Sequence, residues 1–468
     1  MKRMWILGLI LPAAVALADA IPADNEGTDS EGDYSRTFEK VLEAGPGAVF
    51  ALENSFGDVS VGTWDQSKVS ITADIRVDAA SGKKAAEFGE KIRIDVIPSA
   101  ERISVKTIYP TRAGSRSRLS FSVDYTVLLP ARQAADVTNA FGDITVTGVQ
   151  GALTVKGKHG GVEVMQCPSL TLLKNEFGSI DFESVGGKTV EVENQNGDIR
   201  GENVRGALRV DNRFGGVEIA KVEGDLAVRS ANGDIEVESV SGAADIEDQF
   251  GSIRLSGSKG PVKIASGNGS VEATDIGGGE IRNSFGSVNV VNSTNAGLGL
   301  KIDNANGDIR VRSVKGDAIL SASFGRIEAE DVGGNVTASA QNSSVEILNA
   351  GGTVDVEDTF GPVTVRDTRS DVSIRNQNGS IECAPLKAGK SMRLQSTFGS
   401  IKLFLPGDAS ATLRAETTFG AIESDFDVKR SESDTETTVQ GILGGGESRI
   451  DVSNQNGNIE ILKARPRK

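Results

Sequence analysis

His159 is the only histidine in the 468-residue chain, so neither a Ser/His/Asp triad nor a His-ligated zinc site can be assembled from it. Carboxylates are what the chain has in quantity, 65 acidic against 50 basic side chains. An aspartate follows a recurring glycine at Asp143, Asp198, Asp234 and Asp308, which raises calcium at the turns. Other copies carry Ser, Gly, Pro or Arg in that slot and no Gly-Gly-x-Gly-x-Asp nonapeptide occurs, so turn chemistry is the expected role. Carboxylate pairs beside Lys or Arg cleave polysaccharides on some β-helices, yet no long loop breaks the middle of this chain to build a cleft. Gly389-Lys390-Ser391 resembles the end of a phosphate-binding loop, but Ala384 stands where its first glycine belongs. The sequence therefore predicts no catalytic residue, no metal site and no cofactor, and leaves any binding residues unassigned.

These residues sit on a repeat. Taking the glycine of Asn212-Arg213-Phe214-Gly215-Gly216-Val217-Glu218-Ile219 as position zero, the phrase occurs in 18 copies from Gly57 to Gly457, mostly 18 residues apart, with Ser343 in the glycine slot of one. Position +2 is Ile or Val and position −5 is apolar in every copy. The alternation around each glycine has period two, which is strand, and a fixed period of this size marks stacked repeats. A second glycine falls nine residues after the first in many copies (Gly206, Gly224, Gly242, Gly260). Two glycines half a period apart predict two tight turns per repeat, each at positive φ.

The expected fold is all-β, a parallel β-solenoid of about 18-residue coils, right-handed by the usual crossover rule. Coils about 4.8 Å apart would make a rod roughly 75 Å long from the regular copies. The residue before the glycine alternates Phe and Asn, as in Phe177, Asn196, Phe214, Asn232, Phe250 and Asn268, so the genetic period is 36. Either Phe and Asn alternate down one column of 18-residue coils, or one coil takes 36 residues. Small Val and Ile side chains, which would underfill the wider coil, favour the first. Asn, Ser, Asp or Thr stands at −3 in 15 of the 18 copies, which predicts a polar ladder satisfying the turn backbone. Position +3 should face solvent and is often charged (Arg200, Glu218, Arg254, Glu272, Arg310, Glu328), which predicts ion pairs one rung apart.

Met1–Ala20 reads as a secretory signal, with Lys2 and Arg3, an apolar run to Leu17 and an Ala18-Asp19-Ala20 cleavage site. Its apolar run is too short for a spanning helix and no later one is long enough, so the expected location is exported: periplasm, envelope or medium. Net charge is −15, which argues against nucleic acid as a partner. Cys167 and Cys383 lie about twelve coils apart, some 58 Å, far beyond disulfide reach, and Cys383 at +4 is expected to fill the core. Residues 21–45 read as a disordered acidic leader. Residues 46–135 read as a β-rich cap carrying the first repeat, with longer strands at Val69–Val77, Ile92–Ile97, Ile103–Ile108 and Leu119–Leu129 and a short helix near Ala79–Lys91. Residues 136–423 form the regular solenoid, and 424–468 a C-terminal cap strand, expected to close the far end, with a basic tail.

The repeated Asn-x-x-Gly-Asp-Ile phrase, Tyr125-Thr126-Val127-Leu128-Leu129-Pro130 leading into Asn139-Ala140-Phe141-Gly142-Asp143-Ile144, and the closing Asn456-Gly457-Asn458-Ile459 resemble the bacterial putative-adhesin family of β-strand-repeat proteins. The resemblance covers most of residues 48–462 and implies a secreted or envelope-associated β-helix. Together these readings point to a non-enzymatic exported scaffold or spacer, with an envelope polysaccharide or a surface protein as partner. A carbohydrate-active β-helix enzyme is the alternative, and fibre formation through an uncovered end coil a third reading.

Overall fold

A computed structural model describes residues 32–45, 47–111, 119–433 and 435–464; the signal segment and most of the basic tail lie outside them. The chain is a parallel β-solenoid of about 18 residues per coil. Each coil holds a strand that ends just before the zero glycine and one that begins just after it, and each pairs in parallel with its counterparts above and below, as Val210 does with Val228 and Ile219 with Val237. Positions −7, −5, +2, +4 and +7 point inward and are nearly all Val, Ile, Leu or Ala. Cys167 and Cys383 are among the buried residues. Burial pushes both thiols above their usual range, Cys383 to about 12.

The Phe/Asn question is settled by register. Asn232 sits beside Phe250, Phe250 beside Asn268 and Asn268 beside Phe285, so the two alternate down one column of 18-residue coils.

The turns differ from expectation in one respect. Gly215 does take φ +119 and, of the second glycines, Gly206 takes φ +99, but Gly224, Gly242 and Gly260 have no positive φ. A side chain at Gly224 would meet the backbone of Gly206 at 2.5 Å, so glycine is needed there for room. In most coils positive φ falls at +6, on residues such as Lys221, Ser239, Asp275, Asn292, Ser313 and Asp331 (φ +54 to +63). This left-handed residue bends the second strand: the inward positions on either side of it, such as Ile219 and Val222, are three apart rather than two. Asn and Asp are among the non-glycine residues that tolerate that region best.

The N-terminal end is covered. In chain order the elements are β1 (Asp33–Glu43), β2 (Val49–Phe56), β3 (Val59–Trp64), β4 (Lys68–Ala79), α1 (Gly82–Gly89), β5 (Arg93–Pro98), β6 (Arg102–Ile108), β7 (Leu119–Pro130) and β8 (Ala134–Phe141). β2 and β3 form the first coil; β6 and β7 lie parallel on its outer side, and β4, β1 and β5 add antiparallel. Asp33–Glu43, expected within the polar leader, is thus a strand. Tyr34, Phe38 and Leu42 pack on the core from every fourth position, a spaced apolar pattern masked by the charged residues between. The cap also starts the polar ladder: the Thr107 and Tyr109 hydroxyls donate to Asn54 Oδ1 at 3.0 and 2.8 Å, and Asn54 Nδ2 donates to the Val123 carbonyl at 3.1 Å.

The C-terminal end corrects the expected order. Ser448–Asn456 does not close the rod; it lies between Ser391–Phe398 and Ala411–Phe419, parallel to both. The last coil is that of Phe419, covered by the antiparallel strand Thr437–Leu443. In sequence Phe398 is followed by Phe419, which breaks the alternation. In space Asn456 stands between them and restores it. With antiparallel strands at both ends, parallel stacking of one rod on another is disfavoured.

Candidate binding face

At the zero turn, the −3 side chain points inward and hydrogen-bonds backbone. Asn212 Nδ2 donates to the Gly197 carbonyl of the preceding rung at 3.2 Å and to the Gly215 carbonyl at 3.0 Å, and Asn304 does the same with Gly286 and Gly307 at 2.9 Å each. This is the predicted ladder. The aspartates at +1 hold the turn as well: Asp198 Oδ1 accepts from Gly216 N at 2.9 Å, Asp234 from Ser252 N at 2.9 Å and Asp308 from Arg326 N at 3.0 Å. Each oxygen is turned to the next rung's amide, which is the turn chemistry expected of them.

Two ladder positions carry a carboxyl group. Asp248 and Asp358 are about 4% exposed, and neither oxygen of either has a hydrogen-bond partner of good geometry among the described residues. Burial pushes both up to about 6, and the backbone N–H groups of the following two residues offset this only in part.

The charged row at +3 is exposed, with cations facing anions one rung away: Arg200 to Glu218 at 3.6 Å, Arg254 to Glu272 at 3.5 Å and Arg310 to Glu328 at 2.7 Å. Arg310 also reaches Asp308 at 2.7 Å. Half-exposed pairs of this kind are worth little: Arg310→Ala should lower stability by less than about 1 kcal/mol, and the difference in denaturation midpoint should shrink further in high salt.

The sequence did not reveal a shallow groove on the neighbouring face. Its floor is made by positions −4 and −2, it runs from Arg229 to Gln341, and it encloses about 790 Å³. A second stretch of about 440 Å³ continues it back to Lys174 and shares Arg229, Ser230 and Gln249 with the first. Small residues (Ala265, Gly267, Ser284, Ala305, Ser321, Ser323) hollow it where longer side chains stand elsewhere. That local loss of bulk at −4 and −2 was the available signal.

Beside the groove, at −1, runs the aromatic column. In its first rungs the rings stack face to face: Phe56 on Phe141 at 5.2 Å, Phe141 on His159 at 4.7 Å and His159 on Phe177 at 4.8 Å. His159 therefore substitutes for a phenyl ring in a stack. From Phe177 onward an asparagine separates successive rings, and Phe250, Phe285, Phe324, Phe360 and Phe398 are each about half exposed (51–55%). The asparagines bond back to the preceding rung, as Asn306 Nδ2 does to the Ser284 carbonyl at 3.2 Å.

The Toastrack DUF4097 profile matches residues 63–261 and 258–462, nearly the whole of this repeat. The chain belongs to the Toastrack DUF4097 family. No curated protein matches it. Among solved structures, a crystal structure of a putative cell adhesion protein from Clostridium sporogenes aligns over 92% of this chain and 100% of that one, at 8% identity and a TM-score of 0.15; so loose a superposition supports nothing further about this Toastrack chain. No helix among the described residues is long and apolar enough to cross a membrane.

Proposed function

We propose that this Toastrack protein is an exported, non-enzymatic scaffold of the cell envelope, whose rigid rod presents one long binding face. The observation that carries this reading is the repetition of the surface itself. The groove and the aromatic column recur rung after rung, as suits a polymer or an extended partner, whereas a catalytic site gathers unlike residues at one place. The exposed carboxylates of the +3 row support it too, since those with an arginine one rung away are engaged in ion pairs. Export rests on the signal-like segment at Met1–Ala20.

The test is to incubate purified residues 21–468 with an array of envelope polysaccharides and analyse every bound sugar for products. Binding without cleavage is expected. Cleaved product would replace this reading with that of a carbohydrate-active enzyme, and binding to no polysaccharide would turn the search to protein partners.

A further inference from the structure

We propose that the alternating Phe/Asn column is a docking strip for one kind of occupant, an extended β-linked glycan strand with a twofold repeat. The proposal deepens the scaffold reading and rests on it.

Three features of the column point this way. The fold does not need the alternation: rings on consecutive rungs stack well at the N-terminal end, from Phe56 through Phe177. Beyond Phe177 the chain forgoes that stacking and leaves each phenyl half-exposed between two asparagines. Second, the alternation holds in space where it fails in sequence. Phe398 and Phe419 are consecutive copies along the chain, but Asn456 from the chain end lies between them and keeps them two rungs apart. Third, two rungs are about 9.6 Å, close to the slightly longer advance of two rings in an extended equatorially linked glycan. In such a strand alternate rings turn over, so the same apolar C–H face returns every second ring. Each phenyl can then take one such face, and each asparagine lies level with the intervening ring, whose hydroxyl or acetamido groups suit an amide. From Phe177 to Phe419 the strip extends about 67 Å.

Charge narrows the occupant further. The chain is acidic overall, and the groove beside the column mixes both signs, with Arg229 and Glu247 paired at 3.3 Å and Lys174 and Glu193 on the same face. A polyanion would be repelled, whereas a neutral or N-acetylated strand would not.

The experiment measures binding of residues 21–468 to chitin and cellulose oligosaccharides of increasing length by calorimetry, with amylose as a control of different helical repeat. Affinity is expected to rise with each added disaccharide and to fall at least tenfold in the triple variant Phe285→Ala/Phe324→Ala/Phe360→Ala. The same three positions changed to Tyr should keep it. Because these rings are half-exposed the alanine variant should fold, which its denaturation curve checks. Undiminished binding by a folded alanine variant would overturn the strip and leave the scaffold reading standing. So would binding of another arrayed polymer but not of the twofold glycans, or equal binding of amylose. Failure to bind any polysaccharide would overturn the strip and turn the scaffold reading to protein partners, and self-association abolished by the alanine changes, without glycan binding, would assign the column to a second copy of the chain and overturn the glycan proposal.

Discussion

Gly215→Val should destabilise the rod by at least about 3 kcal/mol, one of the largest effects open to a single substitution here. Two causes combine. The residue is held at φ +119, where a β-branched side chain is strained by roughly 1–3 kcal/mol. The new Cβ would also lie 2.4 Å from the Gly197 carbonyl oxygen and 2.6 Å from its carbon. Backbone, unlike a flexible side chain, cannot swing aside, so the neighbouring rung would have to shift. Because a coil touches only its neighbours, the damage should be local: hydrogen exchange should accelerate most between about residues 197 and 233 and little at either cap. Phe214→Ala, one residue away but half-exposed, should change stability by no more than about 0.5 kcal/mol. Similar denaturation midpoints for the two variants would refute the account of the turn.

Asp248→Asn and Asp358→Asn should each stabilise the protein at pH 8 by up to about 3 kcal/mol, and scarcely at pH 4. Where Asn212 donates to two glycine carbonyls, these aspartates occupy the same inward place with acceptor oxygens only, between Ser230 and Ser266 in one case and Ala340 and Asn376 in the other. Burial raises each carboxyl from 3.8 to about 6, and nearby Asp234 adds a small push in the same direction on Asp248. The folded state thus holds the proton more tightly than the unfolded chain. Their contribution is fully present below about pH 4 and is lost as pH rises through about 6. Wild-type protein should accordingly melt at a higher temperature at pH 5 than at pH 7.5, with other titrating groups held the same by comparing against the double Asn variant, which should lose that part of the difference. A pH profile of the double variant parallel to that of wild type would show that the carboxyls are not the cause.

Much of this architecture was legible because it is written many times over. Inward positions, the −3 ladder, the +1 turn aspartates and the +3 ion pairs each recur at one offset, so a single physical reason explains many residues. What escaped had less repetition or a different cause. The left-handed residue at +6 was hidden because the conspicuous glycine lies three residues later and serves space rather than φ; the run Asn203, Ser239, Asp275, Asn292 was its signal. β1 was masked by charge, since Arg36 and Lys40 share a face with Tyr34, Phe38 and Leu42. The groove depends on the absence of bulk at −4 and −2, which alternation alone does not report. The place of Ser448–Asn456 depends on topology, and only the break between Phe398 and Phe419 hinted at it.

That insertion has a consequence for biogenesis. A ribosome or translocon delivers the chain from its N-terminus, and most coils can settle on the one before as they emerge. The segment Ala411–Phe419 cannot, because the strand that joins it to the rest of the stack, Ser448–Asn456, is made after it. Until then the Ser391–Phe398 edge stays open and the distal cap has no seat. Completion of the rod therefore waits for that later strand, so a product cut short before Ser448 would arrive with a growing edge exposed and be marked, by its own unpaired backbone, for aggregation or proteolysis.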